Sequence, residues 1–373
     1  MKNKHTPYGD LAIVSMSGCE EISSKVDYYL KMFRNTDESF VITPHCPRFG
    51  TGEAKCTFPH TARGLDAYII CDCFNWGVKY KMYGREVCMS PDDHYQDLKR
   101  VIAAMGGKAR RITVVMPMLY EGRQHRRTSR ESLDCAMALQ ELIGMGVKNI
   151  ITFDAHDPRV QNAIPNDGFD NVQPTYQMIK ALLRACPDVD IDKDKLMIVS
   201  PDEGAMSRSM YYSSVLGIDI GMFYKRRNYS IIVNGKNPIE AHEFLGKDIH
   251  GKDVIIVDDM IASGDSLLDI AEQLKAKGAN RIFAFTTFGL FTSGFDKFDD
   301  YYKNGLITKI FTTNLVYGTE ELLSKPWYQR VDMSKYIAYI VDTLNYDNSI
   351  SELLNPIDRI NKVMDKHTKG EKI

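Results

Sequence analysis

The residues of this 373-residue chain that are best suited to chemistry lie in one stretch, residues 253–266. The stretch begins with β-branched apolar residues, a pattern typical of a strand buried on both faces. Two adjacent carboxylates, Asp258 and Asp259, follow where this strand is expected to end. A helical pattern begins at Leu267. Between the carboxylates and the helix, the small loop residues are Ala262, Ser263, Gly264, Asp265 and Ser266.

A strand, a short loop and a helix in this order form a site for an anion. The amides of the loop and of the helix N-terminus point outward with partial positive charge, and the hydroxyls of Ser263 and Ser266 add donors. A phosphate suits this loop, whereas Asp258 and Asp259 suit the vicinal hydroxyls of a sugar or a metal ion. A phosphate next to a diol describes a ribose 5-phosphate. The simpler alternative is a helix N-terminus with two solvated aspartates.

Composition and charge narrow the class of protein. The chain has 47 Lys and Arg against 49 Asp and Glu, a formal net charge of −2, so there is no general case for nucleic-acid binding. No apolar run approaches the ~20 residues of a membrane span, and the first residues lack the apolar segment of a signal peptide. The 8 cysteines include no Cys-x-x-Cys pair. We expect a cytoplasmic protein without a membrane or nucleic-acid partner.

Apolar runs alternate with helical patterns along most of the chain, which predicts α/β architecture with parallel sheets covered on both faces. The pattern begins again after Pro174, so we expect two similar halves in tandem, joined by the polar residues 166–174. The predicted N-terminal domain covers residues 1–170 and the C-terminal domain residues 171–332. Residues 333–373 would form a terminal helix that packs back on the N-terminal domain, followed by a charged tail that frays or forms an exposed helix.

Other polar clusters also follow predicted strands, where ligands gather in open parallel sheets. Arg123 and Gln124 belong to a loop dense in guanidinium groups, which can clamp polyphosphate. Asp154 and His156 follow the fifth predicted strand, and Asp202 follows a later one. His156 and Asp202 could share Mg²⁺ with substrate oxygens, because Mg²⁺ takes few protein ligands. The structural alternatives are a solvated basic loop, a structural histidine and an aspartate N-cap.

A third basic cluster, Lys225-Arg226-Arg227, follows another predicted strand. The next residues, 228–237, have no clear core pattern, which favours a loop that can close. Cations on a closing loop stabilise the charge that develops during phosphoryl transfer. A solvated hairpin end is the alternative.

In this order, the clusters resemble those of the ribose-phosphate pyrophosphokinases, which make phosphoribosyl diphosphate (PRPP). The resemblance covers residues 11–354. It implies two tandem type I phosphoribosyltransferase-like domains, assembly into homodimers and hexamers, Mg²⁺, and the reaction ATP + ribose 5-phosphate → PRPP + AMP. The matching motifs are Arg48-Phe49-x-x-Gly52-Glu53, Arg123-Gln124-x-Arg126-x-x-x-Ser129-Arg130-Glu131, Asp154-x-His156, Ser200-Pro-Asp202-x-Gly204, Lys225-Arg226-Arg227 and residues 253–266.

The resemblance also implies a role for each matched residue. Phe49 and Glu53 would contact the adenine of ATP from a neighbouring subunit. The catalytic residues on the closing loop would be Lys225 and Arg227. Other ATP contacts would come from Arg123, Gln124 and His156, and His156 and Asp202 would also serve Mg²⁺. Asp258 and Asp259 would hold the ribose hydroxyls, and the 5-phosphate would be held by Ala262, Ser263, Gly264, Asp265 and Ser266.

Several positions depart from the family pattern. Ala262 stands where aspartate is usual, Asp265 where glycine is usual, and Thr51 replaces the aspartate of the adenine loop. A carboxylate at Asp265 would repel phosphate unless it points away. Residues 74–89 look like an insertion, which either covers a subunit contact or is a surface excursion.

Two other functions remain open at this stage. One is a non-catalytic homologue that binds and regulates active synthase subunits, although Lys225, Arg227, His156 and Asp202 are all present. The other is a phosphoribosyltransferase, which the sequence Ala262-Ser263-Gly264 suggests but which leaves the tandem second half unexplained.

Overall fold

The structure, a computed structural model, describes residues 6–227 and 239–373, without the side chains of 225–227 and 239–242. The chain divides into two compact units. Unit 1 consists of Met1–Pro174, Asn314–Tyr317 and Asp332–Asn355. Unit 2 consists of Thr175–Thr313, Gly318–Val331 and Pro356–Ile373.

Strands and helices alternate through both units. The strands are β1 Asp10–Ser15, β2 Val41–Ile42, β3 Leu65–Ile70, β4 Lys79–Met82, β5 Arg85–Cys88, β6 Arg111–Val115, β7 Asn149–Phe153, β8 Gly168–Val172, β9 Leu196–Ser200, β10 Asp219–Arg227, β11 Ile239–Leu245, β12 Asp253–Ile261, β13 Ile282–Gly289, β14 Lys309–Thr313 and β15 Tyr328–Val331. The α-helices are α1 Glu20–Arg34, α2 Pro91–Ala104, α3 Asp134–Gly144, α4 Thr175–Ala185, α5 Met206–Leu216, α6 Asp265–Ala276, α7 Asp296–Lys303, α8 Glu320–Leu323, α9 Ser334–Asn345, α10 Ser351–Leu354 and α11 Ile357–Thr368.

Unit 1 is built on a six-stranded parallel sheet with the order β2-β1-β3-β6-β7-β8. β4 and β5 form a separate antiparallel hairpin. The central strands are almost continuously apolar, and the residues of β3 from Ala67 to Ile70 are fully buried. Burial of every residue along a strand requires cover on both faces, which agrees with the predicted architecture.

Unit 2 contains a seven-stranded sheet with the order β11-β10-β9-β12-β13-β14-β15. All neighbours are parallel except β10 and β11, which pair antiparallel. Alternate residues of β12 pack into two different apolar clusters, Val254 and Ile256 into one and Ile255 and Val257 into the other. The β12 strand is therefore sandwiched between two helical layers, because successive side chains point to opposite faces of a sheet. The prediction of two α/β halves with mainly parallel sheets is confirmed.

Three local features differ from the sequence-based expectations. The polar residues 166–174 contain a sheet strand, β8. The charged tail forms α11, which packs on α4 and buries Ile360 and Val363, so it is neither frayed nor fully exposed. β12 continues through Asp258 and Asp259 to Ile261 and does not end at the carboxylates.

No helix in the described residues combines the length and the apolar character that a membrane span requires.

Candidate active site

An open pocket of about 150 Å³ lies in unit 2 beyond the carboxyl end of β12. Asp258 lies on its wall together with four of the five predicted loop residues. Those four are Ala262, Ser263, Gly264 and Ser266. The helix α6 begins at Asp265, so the positive end of its dipole lies beside this pocket. The pocket thus combines a site for an anion with a carboxylate that can accept hydrogen bonds from hydroxyl groups.

The turn into α6 requires glycine at position 264. Gly264 has a φ of +90°, and a Cβ atom there would overlap the ring of the buried Phe298. Both constraints hold the loop backbone close to the core. The sequence pattern predicted a small loop here, and the contact with Phe298 supplies the physical reason for Gly264.

We expect Gly264→Ala to destabilise the protein more than Gly251→Ala does, by roughly 1–3 kcal/mol, because only the first variant overpacks the core. Gly251 also has a positive φ, +74°, but a Cβ there meets no atom within 4 Å. The matched pair therefore separates the clash from the backbone strain. Urea unfolding of both variants measures the difference, and equal losses of stability would show that Phe298 does not restrict this loop.

Asp265 does not contribute to the pocket wall, although it belongs to the same loop. Its carboxylate is exposed and lies 2.6 Å from the Nζ atom of Lys297 at the start of α7. The Lys297 ammonium lowers the pKa of Asp265, with a smaller contribution from the Ser263 hydroxyl. The negative charge of Asp265, which lies beside the anion site in sequence, is thus paired with the Lys297 ammonium of the next helix.

Asp258 and Asp259 have different surroundings. Asp258 is half-buried with its Oδ1 atom 4.0 Å from the guanidinium of Arg208, whereas Asp259 is 4% exposed and does not line the pocket. Burial, together with the neighbouring charge of Asp259, raises the pKa of Asp258 well above its ordinary value, and Arg208 opposes the shift. Of the two predicted carboxylates, Asp258 is the one that the geometry presents to a ligand.

Asp202, in the loop between β9 and α5, organises the backbone around it. Its Oδ1 atom accepts hydrogen bonds from the backbone amides of Gly204 at 2.9 Å and Ala205 at 3.2 Å. This is an aspartate turn ahead of α5, whose N-cap residue is Ala205, so Asp202 is not the helix N-cap of the structural alternative. The neighbouring Pro201 lies on the wall of the pocket. Asp202 therefore shapes a loop at the pocket edge, and its proposed service to Mg²⁺ stays a prediction.

In unit 1, Phe49 and Glu53 face each other near the tip of an antiparallel hairpin that spans residues 45–57. The Phe49 amide donates to the Glu53 carbonyl at 2.7 Å, and His45 and Thr57 exchange two backbone hydrogen bonds at its base. The ring of Phe49 is 54% exposed, which leaves it available for stacking. The Glu53 carboxylate accepts a hydrogen bond from the Thr51 hydroxyl at 2.9 Å.

Arg48 ties the 45–57 hairpin to the body of unit 1. Its guanidinium forms a buried ion pair with Asp97 of α2 at 2.8 Å and stacks over the Tyr80 ring at 4.8 Å. Tyr80 belongs to β4, and the backbone amide of Tyr83 donates to the carbonyl of Gly50 at 2.8 Å. The apparent insertion at residues 74–89 thus forms a hairpin that packs against the loop carrying Phe49 and Glu53.

The guanidinium-rich loop follows β6, as the sequence predicts. Arg123 is exposed, and the Gln124 side-chain amide donates to the carbonyl of Ser132 at 2.7 Å. The next residue, His125, packs its ring 5.3 Å from that of His156. His125 also lies 3.4 Å from the Asp157 carboxylate, whose pKa is lowered to about 2 chiefly by its hydrogen bonds from Arg159. Two imidazoles and a cationic loop form a polar cluster suited to phosphate oxygens.

The turn after β7 is held in an unusual backbone conformation. Asp154 has a φ of +41° and is buried, and the amide of Ala155 donates to the side chain of Asn171 at 2.9 Å. Aspartate adopts this region more readily than most non-glycine residues, which suits it to the turn. The turn directs the chain to His156.

Lys225 and Arg227 belong to β10 by their backbones, and β10 continues through them beyond the predicted strand. Their side chains, and residues 228–237 of the predicted closing loop, lie outside what the structure describes.

Sequence reasoning missed several residues at these positions. His125 belongs to the guanidinium-rich loop, but nothing in the local sequence pattern indicates that its ring lies next to that of His156. Arg208 and Thr286 come from α5 and β13 and reach the neighbourhood of Asp258 only through the fold. The helical pattern places Arg208 on α5 but does not indicate that its guanidinium approaches Asp258.

No three His, Cys, Asp or Glu side chains within the described ranges form a group able to hold a metal ion.

The protein has two units, each with a mainly parallel sheet covered by helices, and the second unit carries a small loop at a helix N-terminus. This architecture is that of a tandem phosphoribosyltransferase-like protein. Two family models match the chain. One describes the N-terminal domain of ribose phosphate pyrophosphokinase and matches residues 11–146, and the other describes the phosphoribosyl synthetase-associated domain and matches residues 225–355. The chain belongs to the ribose-phosphate pyrophosphokinase family, and the resemblance stated from the sequence is confirmed.

Known relatives agree with this assignment. The chain is 28% identical over 312 residues to the ribose-phosphate pyrophosphokinase of Vibrio parahaemolyticus, covering 83% of this chain and 90% of the relative. It is 28% identical to that of Shewanella oneidensis over 312 residues, with 83% and 89% coverage. A crystal structure of phosphoribosylpyrophosphate synthetase from Mycobacterium smegmatis matches with a TM-score of 0.73 and 18% identity, covering 91% of this chain and 100% of that one, and it supports the fold.

Proposed function

We propose that this protein is a ribose-phosphate diphosphokinase, which transfers the diphosphoryl group of ATP to the 1-hydroxyl of ribose 5-phosphate and yields PRPP and AMP. The observation that carries the proposal is the pocket of unit 2, where Asp258 and the loop from Ala262 to Ser266 line one cavity. The Asp258 carboxylate can accept hydrogen bonds from a diol, and the anion site lies on the same wall. Together they suit a sugar phosphate. Membership of the ribose-phosphate pyrophosphokinase family implies that ATP is the donor of the diphosphoryl group.

Two sets of groups would bind the sugar phosphate in the proposed site, one the phosphate and the other the hydroxyls. The loop amides, the Ser263 and Ser266 hydroxyls and the N-terminus of α6 would hold the 5-phosphate. The Asp258 carboxylate would accept hydrogen bonds from the ribose hydroxyls, and the backbone amide of Asp259, which donates to Asp258 Oδ1 at 2.9 Å, would help to orient it. Binding the phosphate and the diol together fixes the position of the 1-hydroxyl, which is a large part of catalysis in phosphoryl-type transfer.

The proposed nucleotide contacts lie in unit 1. The exposed ring of Phe49 would stack on adenine, and Glu53 would accept from its amino group. The cluster of Arg123, Gln124 and His156 would bind the ATP phosphates. Mg²⁺, served by His156 and Asp202, would neutralise phosphate charge. We propose further that Phe49 and Glu53 act on the nucleotide of a neighbouring subunit in a homo-oligomer, as the family resemblance implies.

In the proposed reaction the 1-hydroxyl oxygen attacks the β-phosphorus of ATP in line with the departing AMP. Negative charge moves onto the leaving oxygen, and Lys225 and Arg227 would stabilise it. A cytoplasmic setting, expected from the sequence, is part of the proposal.

Release of AMP from ATP, Mg²⁺ and ribose 5-phosphate tests the proposal. We expect AMP in amounts equal to PRPP and none when the sugar phosphate is left out. Absence of AMP across a range of phosphate and Mg²⁺ concentrations would favour a non-catalytic, regulatory homologue. PRPP consumption with a nucleobase, in place of synthesis, would favour a phosphoribosyltransferase.

We expect Lys297→Ala to raise the KM for ribose 5-phosphate by about 2–5-fold, because the Asp265 carboxylate, left without its cation, would repel phosphate. Lys297→Ala combined with Asp265→Asn should restore the KM. Lys303→Ala, an exposed lysine at the other end of α7, is the matched control. A double variant as impaired as Lys297→Ala would show that Lys297 acts independently of Asp265.

A further inference from the structure

The 45–57 hairpin places two cysteines directly opposite each other. His45 donates to Thr57 at 3.0 Å and Thr57 to His45 at 2.8 Å, so these two residues form a hydrogen-bonded antiparallel pair. The same register continues to the bridge between Arg48 and Ala54. Cys46 and Cys56 are the next pair after His45 and Thr57, and they point to the same face.

The geometry of this pair suits a disulfide. A non-hydrogen-bonded pair lies next to each hydrogen-bonded pair in an antiparallel ladder, with a Cα separation of about 4.5 Å. Disulfides span Cα separations of about 4.4–6.8 Å. Cys46 and Cys56 can therefore be joined without a change of register.

The chemical surroundings also suit thiol chemistry. Cys46 and Cys56 are both half-buried, so a small oxidant can reach them. A hydrogen bond between the two thiols lowers the pKa of Cys56, and the same contact, with burial, raises the pKa of Cys46. A thiol with a lowered pKa is the better nucleophile near neutral pH. The pair therefore offers one thiol to attack an oxidant and a facing thiol to resolve the mixed disulfide.

Other cysteines provide a contrast within the same chain. Cys71 and Cys73 have their sulfur atoms 3.6 Å apart, but both are buried and lie two residues apart along one chain segment. Cys88 is exposed, but it stands opposite Lys79 in the hairpin of β4 and β5. Cys46 and Cys56 combine partial exposure to solvent with a thiol on the facing residue.

We propose that Cys46 and Cys56 form a reversible dithiol–disulfide site at the base of the 45–57 hairpin, oxidised by low-molecular-weight disulfides such as oxidised glutathione. The Cys56 thiolate attacks one sulfur of the oxidant, its S–S bond breaks, and one glutathione leaves and takes up a proton. Cys46 then loses its proton to solvent and attacks the Cys56 sulfur, which releases the second glutathione. Two protein thiols are oxidised, and one glutathione disulfide is reduced to two thiols.

The disulfide would fix the register of the hairpin that carries Phe49 and Glu53. Redox state would thereby act on the segment proposed to contact adenine. This consequence rests on the proposed function, whereas the thiol chemistry does not.

Peptide mapping tests the proposal on the full-length protein. The protein is incubated with oxidised glutathione, remaining thiols are alkylated, and trypsin is applied without reduction. Cleavage after Arg34, Arg48, Lys55 and Arg63 separates the two cysteines into peptides 35–48 and 56–63. We expect these peptides to be joined, and to separate when the digest is reduced.

Two variants sharpen the result. Cys46→Ser should leave glutathione attached to Cys56, because the resolving thiol is gone, and Cys88→Ser should form the same joined peptides as the wild type. The proposal is overturned if peptides 35–48 and 56–63 stay separate at an oxidant concentration that modifies Cys88. It is also overturned if Cys46 joins a cysteine other than Cys56. Since the readout is a covalent bond, loss of catalytic activity cannot imitate either result.

Discussion

Replacement of Lys225 by alanine is expected to lower the turnover of PRPP synthesis by about 10²–10³, as for loss of one donor to the charge of a transition state. The charge on the leaving AMP oxygen exists only as the bond to the β-phosphorus breaks. The KM values for ATP and ribose 5-phosphate should therefore change much less than kcat. Steady-state kinetics with both substrates varied measures the two effects.

Lys247→Ala provides the control for this variant. Lys247 is an exposed lysine of unit 2 that pairs with Asp219 at 2.9 Å, so its loss removes the same charge elsewhere. We expect its turnover to stay within about twofold of the wild type. Turnover near normal in Lys225→Ala would remove Lys225 from the catalytic role, and a loss confined to KM would make it a binding residue.

Replacement of Asp258 by asparagine is expected to lower kcat/KM for ribose 5-phosphate by roughly 10²-fold. A charged acceptor facing two hydroxyl groups contributes about 1.5 kcal/mol or more for each hydrogen bond. Asparagine keeps the size of the side chain and removes its charge. Asp300→Asn is the matched control, because Asp300 is an exposed aspartate on α7. Equal kinetics in the two variants would contradict a role for Asp258 in sugar binding.

The pH profile gives the Asp258 variant a second readout. Burial and the charge of Asp259 raise the pKa of Asp258, so its charged form becomes populated only at a pH above the ordinary range for aspartate, about 4. Since the charged carboxylate is the better acceptor, kcat/KM for ribose 5-phosphate should rise with pH through this raised pKa. Asp258→Asn should lack that rise, and comparing both profiles removes the titration of the substrate phosphate.

Much of the fold could be predicted because its signals are local. The apolar run in β12 and the helical pattern of α6 identify a buried strand and its following helix, and the small residues between them identify the loop. β8 was missed because Gly168 to Val172 is a polar edge strand whose burial comes from one neighbour, β7. The packing of α11 was missed for a related reason, since only Ile360, Val363 and a few neighbours face α4 in a segment that is otherwise charged.

The candidate site was predictable to the same extent. Residues on one loop, such as Ser263 and Ser266, could be grouped from sequence because chain continuity keeps them together. The partners of that loop could not, because Phe298 and Lys297 come from α7, about thirty residues later. The repulsion expected from Asp265 illustrates the point. Its sign follows from sequence, and its neutralisation by Lys297 follows only from the fold.

The proximity of Cys46 and Cys56 was also hidden in the sequence. Their separation along the chain is compatible with many loop conformations, and only the register set by His45 and Thr57 brings them opposite each other. The insertion at residues 74–89 is similar, since its packing against the 45–57 hairpin depends on contacts such as that between Tyr80 and Arg48.

The most direct test of diphosphoryl transfer follows the β-phosphorus of ATP. The protein is incubated with ribose 5-phosphate, Mg²⁺ and ATP labelled with ³²P at the β position, and the products are separated. We expect the label to appear in the pentose product, with unlabelled AMP formed in equal amount. Label retained in ADP, or found in free diphosphate without a labelled pentose, would contradict attack by the sugar hydroxyl on the β-phosphorus and with it the proposed function.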